Sequence, residues 1–540
     1  MNERIFFDCN ALVGRRGPKD VETPYETEVL LEEMDWCGIH GALIGHWLGK
    51  EYDPAYGNRM LLRELKKSPR LHGVWSVMPH HTGEMPPPRD VIQEMRDNGI
   101  RAAKMYPRSH HYFFNEDSCG ELLSTLEEEE IPLLLEGGGM YGPDIFDPAN
   151  QVLLADLDAM MTRHPRLRVL LLNSRWDATR YLHTLMSKHS NLCLDFANHQ
   201  GNRALEVFAG WFGADRLLFG TGALDKSPGA AKAFVDYCTL PDEAKILIAG
   251  GNLARLLKLE TLPATYRKRR ISDPILAAAR EGRPLRDTLV IDSHAHISHE
   301  GALGTGFMFQ AAGDAPGMFE RAKTMGMSQV HISSWLGIWA DYEEGNEIVY
   351  DAMKRFPRFY RGYATLQPQY VKDWKRAIAK VHGRYRMGGL KPYHPRTDIS
   401  YNDPAWAPWF EFGNRHRCYT LLHQSPNFNA ELLDLVPRYP DMTFILAHQG
   451  ASFAQARKGI EIAQKFPNVY LEITLTAVTY RVIEFMVSHV GAHRVLFGTD
   501  QPMRDPLPQF GWMAYAHSTP KEKAQMFGLN MRKIVQRVRW

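Results

Sequence analysis

Six stretches of this chain occur twice, in the same order and at a nearly constant separation. "IFFDCNAL" (5–12) is answered by "LVIDSHAH" (289–296), "HWLGKEYDPAYGN" (46–58) by "SWLGIWADYEEGN" (334–346), and "SPRLHGVWSVMP" (68–79) by "FPRFYRGYATLQP" (356–368). "AAKMYPR" (102–108), "RLLFGTG" (216–222) and "AGGNLARLL" (249–257) return as "GLKPYHPR" (389–396), "RVLFGTD" (494–500) and "FGLNMRKIV" (527–535). Trp335 stands 288 residues after Trp47. Similarity kept in order over such a length implies two homologous units.

Each unit has about 250 residues, the usual size of an eight-fold β/α barrel. In the second, apolar runs such as "QVHISS", "CYTLLH", "TFILAH" and "RVLFGT" alternate with helical patterns such as "NEIVYDAMKRFP" and "NAELLDLVPRYP". That alternation means parallel βαβ units. A doubly wound open sheet is disfavoured because no Gly-rich phosphate loop is present. The expectation is an α/β protein of two tandem (β/α)8 TIM-barrel domains, at residues 1–260 and 288–540. Between them, 261–287 reads as a surface linker with one short helix and the basic cluster Lys268, Arg269 and Arg270.

Composition removes several function classes. A formal net charge of +2 gives no footprint for nucleic acid or an anionic membrane. No apolar run reaches the length of a bilayer span, and no signal-peptide pattern is evident at the N-terminus. The six cysteines are scattered without a CxxC pair, which suits a reducing compartment. A cytoplasmic enzyme acting on a small molecule is expected.

In a barrel of this kind the C-terminal ends of the strands converge on one mouth. Polar residues that close apolar runs are therefore the candidates. In the second unit these are His294 and His296 in "IDSHAH", Lys391 in "GGLKPY", His423 in "LLHQ", His448 in "ILAHQG" and Asp500 in "VLFGTDQP". His294 and His296 alternate in phase on one strand face, with Asp292 in line behind them. Neutral imidazoles with a carboxylate suit zinc while leaving a position open. Each histidine alone could equally be a hydrogen-bonded core residue. Trp335, Tyr393, His394 and Arg396 stand at loop starts near the mouth, and Arg396 could meet a substrate carboxylate.

These motifs resemble the amidohydrolase superfamily in its amidohydrolase-related branch, which includes lactonases, other hydrolases and the aminocarboxymuconate-semialdehyde decarboxylase group. The resemblance implies that His294, His296 and His423 ligate one divalent metal, usually zinc, with manganese as an alternative. It implies Asp500 as ligand or near neighbour and as general base, and His448 as the group that orients water or polarises the substrate. Lys391 is expected to bind a substrate oxyanion, although in some branches a strand-end lysine bridges two metals.

The first unit differs at these positions. Asn10 and Leu12 replace the two histidines, Glu136 stands for His423, Asn173 for His448 and Gly222 for Asp500, while Asp8 and Lys104 persist. Such residues are poor zinc ligands, so the unit reads as a degenerate copy without metal. Related enzymes often pair barrels and some borrow an arginine from a neighbour. Hence an internal pseudo-dimer is expected, with Arg175, Arg15 or Arg16 as candidate contributors to the pocket and further homo-oligomerisation left open. The expected activity is hydrolysis of an amide, lactone or other ester bond. Non-oxidative decarboxylation of an unsaturated or aromatic acid is the alternative; Ala451 in "HQGA", where many decarboxylases carry a glutamate, leans towards hydrolysis.

Overall fold

The computed structural model describes residues 4–17, 21–137, 148–261 and 271–540; the Lys268–Arg270 cluster lies outside the described residues. The chain divides into two compact units, Met1–Gln200 with Ala204–Arg270, and Gly201–Arg203 with Ile271–Trp540.

In the first unit the strands are β1 (Phe7–Val13), β2 (Gly41–His46), β3 (Leu71–Gly73), β4 (Trp75–Ser76), β5 (Ala103–Met105), β6 (Leu133–Glu136), β7 (Val169–Leu172), β8 (Leu192–Asp195) and β9 (Leu217–Leu218). All pairings are parallel, and they form a three-stranded sheet β1-β2-β3 and a six-stranded sheet β4 to β9. The divide falls at Val74, whose N–H bonds Ile44 O at 3.0 Å, while Trp75 N–H turns to Ala102 O at 3.1 Å. β1 also meets the segment after β9, through Cys9 N–H to Phe219 O and Leu12 N–H to Ala223 O, each 2.9 Å.

The second unit holds a single sheet of eight parallel strands in sequence order. They are β10 (Ile291–Ile297), β11 (Gln329–Ser334), β12 (Tyr360–Ala364), β13 (Gly389–Leu390), β14 (Tyr419–Leu422), β15 (Thr443–Leu446), β16 (Val469–Glu472) and β17 (Val495–Leu496). Its two edges come together. Ser293 N–H bonds Phe497 O at 3.0 Å, Asp500 N–H bonds His294 O at 2.8 Å and His296 N–H bonds Gln501 O at 2.6 Å. The result is a near-closed barrel with helices between its strands. Because helices cover such a sheet, its strands read as short runs buried throughout rather than as alternating patterns. Ile291, Tyr363, Tyr419, Leu421, Ile445 and Leu496 pack together in its core.

Phase along β10 is not the simple alternation the sequence suggested. Asp292 pairs with Val330 but Ala295 with Ile332, so one extra residue bulges out between them. Bulges re-aim side chains next to functional sites. Here the bulge turns Asp292 aside, where its carboxylate receives Thr499 N–H (3.1 Å), Thr499 Oγ1 (2.5 Å), Gln501 Nε2 (2.8 Å) and His294 N–H (3.0 Å).

After β11 the short helix Trp335–Trp339 runs into the helix Tyr342–Arg355. The second is fixed at its start by Asp341, whose side chain accepts from Glu343 N and Glu344 N. The two helices touch at Gly337 and Gly345, where a Cβ on Gly345 would stand 2.3 Å from the Gly337 backbone. No other residue allows that approach. The helix Pro274–Arg280 packs Ile275, Leu276 and Ala279 into the interior, and Lys523 Nζ holds its capping Asp273 at 2.6 Å. Among the described residues no helix is long and apolar enough to cross a membrane.

Candidate metal centre

Four strand ends deliver the central side chains. β10 carries His294 and His296, the turn after β15 carries His448, β16 ends in Glu472, and the segment after β17 carries Asp500. All are buried. His296 Nε2 lies 3.1 Å from Asp500 Oδ1, and His294 Nε2 lies 3.7 Å from the same oxygen. Among the described residues, two groups have ligand atoms that all lie within 4.8 Å of one another: His294, His296 and Asp500, and His294, His448 and Glu472.

Each imidazole is oriented through its other nitrogen. His294 Nδ1 meets Glu472 Oε2 at 2.9 Å, His296 Nδ1 meets Ser333 Oγ at 2.9 Å, and His448 Nδ1 meets Thr474 O at 2.9 Å. For His294 and His448, whose partners are a carboxylate and a carbonyl, Nδ1 keeps the proton and Nε2 keeps its lone pair; His296 has a hydroxyl behind it and turns Nε2 to the Asp500 carboxylate. Burial depresses the pKa of His294 and of His296, Lys391 adding to the effect at both, and pushes His448 down to about 4. The rings are therefore neutral, the state a metal ligand requires.

Asp500 is the opposite case. Burial would raise its pKa, but the Arg504 guanidinium and the His296 hydrogen bond outweigh it and hold the carboxyl well below its usual range. Arg504 Nη1 contacts Asp500 Oδ2, which leaves Oδ1 to the histidines. Asp500 and His448 both adopt the left-handed backbone region, with φ of 58° and 64°. Non-glycine residues held there cluster at functional sites. Two neutral imidazoles and one carboxylate, with partners behind each, match the donor chemistry of a divalent ion.

The remaining expected residues take different places. His423 lies outside both close groups. Its ring stands 4.9 Å from that of His448 and 5.3 Å from that of Tyr393. Lys391 Nζ lies 3.5 Å from His294 Nε2, and burial lowers its pKa to about 8 against the pull of Asp500 and Glu472. Trp335 stacks on His296 at 4.0 Å, and the Arg396 guanidinium lies 3.7 Å from the Trp339 ring centre. In the first unit, Arg175 is held by Asp177 at 2.7 Å, Arg16 by Asp225 at 2.5 Å and Arg15 by the Tyr25 hydroxyl at 2.6 Å.

Glu472 and Arg504 escaped the sequence reading. Glu472 closes the apolar run "VYLE", a strand-end signal as good as that of His448. Arg504 follows Asp500 by four residues in a loop, and nothing in its local pattern marks it.

Residues 291–537 match the family model described as Amidohydrolase. No curated protein matches the chain. Solved structures similar to this chain include 5-carboxyvanillate decarboxylase from Sphingomonas paucimobilis, at 15% identity over 46% of this chain and 99% of that one, with a TM-score of 0.38. 2,6-Dihydroxybenzoate decarboxylase from Rhizobium matches at 12% identity over 47% and 99%, TM-score 0.37. Dihydroxybenzoic acid decarboxylase from Polaromonas, solved with bound manganese, matches at 14% identity over 46% and 97%, TM-score 0.37.

Proposed function

We propose that the second unit is a metal-dependent hydrolase that cleaves an amide, lactone or other ester bond of a small polar or anionic substrate. The observation that carries this reading is the meeting of His294, His296 and Asp500, from strands at opposite ends of the second unit's sheet order, with ligand atoms within 4.8 Å of one another. These residues would hold one divalent ion, zinc or manganese. When bound, such an ion polarises a carbonyl oxygen and acidifies water.

The chain's own groups then have defined tasks. Asp500, kept ionised by Arg504, accepts a proton at the oxygen Arg504 leaves open and returns it to the departing group. His448, with Nδ1 fixed on Thr474 O, turns Nε2 to the substrate. Lys391 places its ammonium beside His294 and Asp500, where it offsets negative charge developing on a substrate oxygen.

Decarboxylation of an unsaturated or aromatic acid is the second reading, favoured by the aromatic wall of Trp335, Trp339 and Tyr393 beside these residues. Lactones, N-acyl compounds and aromatic acids, offered to zinc- and manganese-loaded protein, separate the two. Acid release without carbon dioxide supports the hydrolase, and carbon dioxide release replaces it with the lyase. A protein that takes up neither ion removes the basis of both.

We read the first unit as a barrel-derived scaffold without a metal. Asn10, Glu136, Asn173 and Gly222, at the positions where the second unit has its donors, support this.

A further inference from the structure

We propose that Trp335, Trp339 and Arg396 form a subsite for a second carboxylate of the substrate, one not presented to His294, His296 and Asp500. This deepens the hydrolase reading and rests on it.

Trp335 and Trp339 open and close one short helix, four residues apart, so they share a helix face. Trp335 is 2% exposed and stacks on His296 with ring centres 4.0 Å apart, which ties this face directly to the candidate metal ligands. Both indole Nε1 atoms are buried and lack a hydrogen-bond partner among the described residues, as does the hydroxyl of Ser334 just before them. An indole nitrogen can only donate, so an acceptor is what this face lacks. A buried donor left unmet is costly and is rare in folded proteins.

Arg396 indicates the charge of that acceptor. Its guanidinium is held on the Trp339 ring at 3.7 Å, a cation–π contact that leaves its N–H fork available. Tyr393, three residues earlier, feels both Asp500 and Arg396 electrostatically, so the guanidinium lies on the same side of the barrel mouth. Two N–H donors and one guanidinium suit a carboxylate, which accepts through two oxygens and pairs with arginine in plane. The substrate class is thus a small molecule that keeps a carboxylate at one end while its scissile or reacting group faces Asp500.

The test uses the full-length zinc-loaded chain, with isophthalate as probe and benzoate as its single-carboxylate control. Isophthalate is expected to bind about tenfold more tightly, the usual value of a charge-assisted hydrogen bond. Trp335→Phe and Trp339→Phe should each remove about that factor for isophthalate while changing benzoate affinity less than twofold. In the indole ¹⁵N spectrum, the two N–H resonances missing from those variants should move downfield with isophthalate. Equal affinity for both acids, or indole resonances that stay in place at saturation, overturns the subsite. Zinc content measured on the same samples tests the metal reading separately. If zinc is not retained, the indole shifts with isophthalate still decide the subsite.

Discussion

The two units share several buried hydrogen-bond patterns and differ at their strand ends. In each, an aspartate on the first strand clamps the segment that follows the last one: Asp8 receives Thr221 N–H at 2.9 Å, and Asp292 receives Thr499 N–H at 3.1 Å. In each, an asparagine exchanges two hydrogen bonds with a strand: Asn58 with Ser76, both at 2.9 Å, and Asn346 with Thr365 at 2.7 and 2.9 Å. Asn252 Nδ2 ties Ala214 O and Leu217 O, as Asn530 Nδ2 ties Ala492 O and Val495 O. The strand ends differ. Asn10 Nδ2 bonds Asn173 Oδ1 at 3.1 Å and Asp195 Oδ2 at 3.2 Å, and Lys104 Nζ bonds Asn10 Oδ1 at 3.3 Å. Amide pairs that satisfy one another leave nothing for a cation to satisfy. Beside Asp500, His294 and His448 donate away from the centre, to Glu472 and Thr474 O, and leave lone pairs facing it. The frame and the chemistry are thus separable: one set of polar residues holds the fold and another decides what the mouth can bind.

Metal uptake offers the sharpest way to break this contrast. The full chain should take up one divalent ion, and His294→Ala or Asp500→Ala should abolish uptake, whereas Asn10→Ala and Asn173→Ala should leave it unchanged. Metal analysis after dialysis reads the result; an ion that survives His294→Ala with Asp500→Ala would lie elsewhere. Next in size is Glu472, which orients His294 from behind. Glu472→Gln should weaken metal affinity about 10- to 100-fold. Its first-unit counterpart Asp195 accepts from Asn10 Nδ2 and Asn173 N–H, so Asp195→Asn should lower stability without touching uptake. The clamps predict similar losses instead. Asp8→Asn and Asp292→Asn each leave buried threonine and backbone donors poorly met, at a cost of about 1–3 kcal/mol apiece, the larger at Asp292, which also holds Gln501 Nε2. Urea unfolding of both variants measures this, and a larger loss at Asp8 would argue against equivalent clamps.

Part of this was legible in the sequence. Matching the repeated stretches paired Asp8 with Asp292, Asn58 with Asn346 and Asn252 with Asn530, and polar residues closing apolar runs picked out His294, His296, His448 and Asp500. What period-two reasoning could not supply was the bulge at Asp292, a matter of strand register with β11 rather than of residue type. Arg504 was hidden for a related reason. Its task is set by the loop that folds it back on Asp500, and an arginine in a loop has no pattern of its own. Trp339 lacked a strand-end position, and its interest lies in a hydrogen bond it does not make, which only three-dimensional packing reveals.

The smallest effect concerns the lysine that stands four residues after Gly222, as Arg504 stands four after Asp500. Gly222 offers no carboxylate and has a φ of 70°, so Lys226 Nζ turns to Ala197 O at 3.0 Å and Asn198 Oδ1 at 2.8 Å. Burial lowers its pKa from 10.5 to about 7, with Asp195 and Asp225 pulling the other way. Between those two values the unfolded chain holds a proton that the folded one has released. Unfolding then takes up a proton, and stability rises with pH across the window, by at most about 1.4 kcal/mol per pH unit. Below about 7 both states are charged, above 10.5 both are neutral, and the contribution is flat on either side. Between pH 7.5 and 8.5 the melting temperature of the first unit should therefore climb by roughly 2–4 °C. Lys226→Met should flatten that climb, while the part of the slope that comes from Lys391 in the second unit, whose pKa burial lowers to about 8, should remain. A slope that persists unchanged in Lys226→Met would assign the titration to another group.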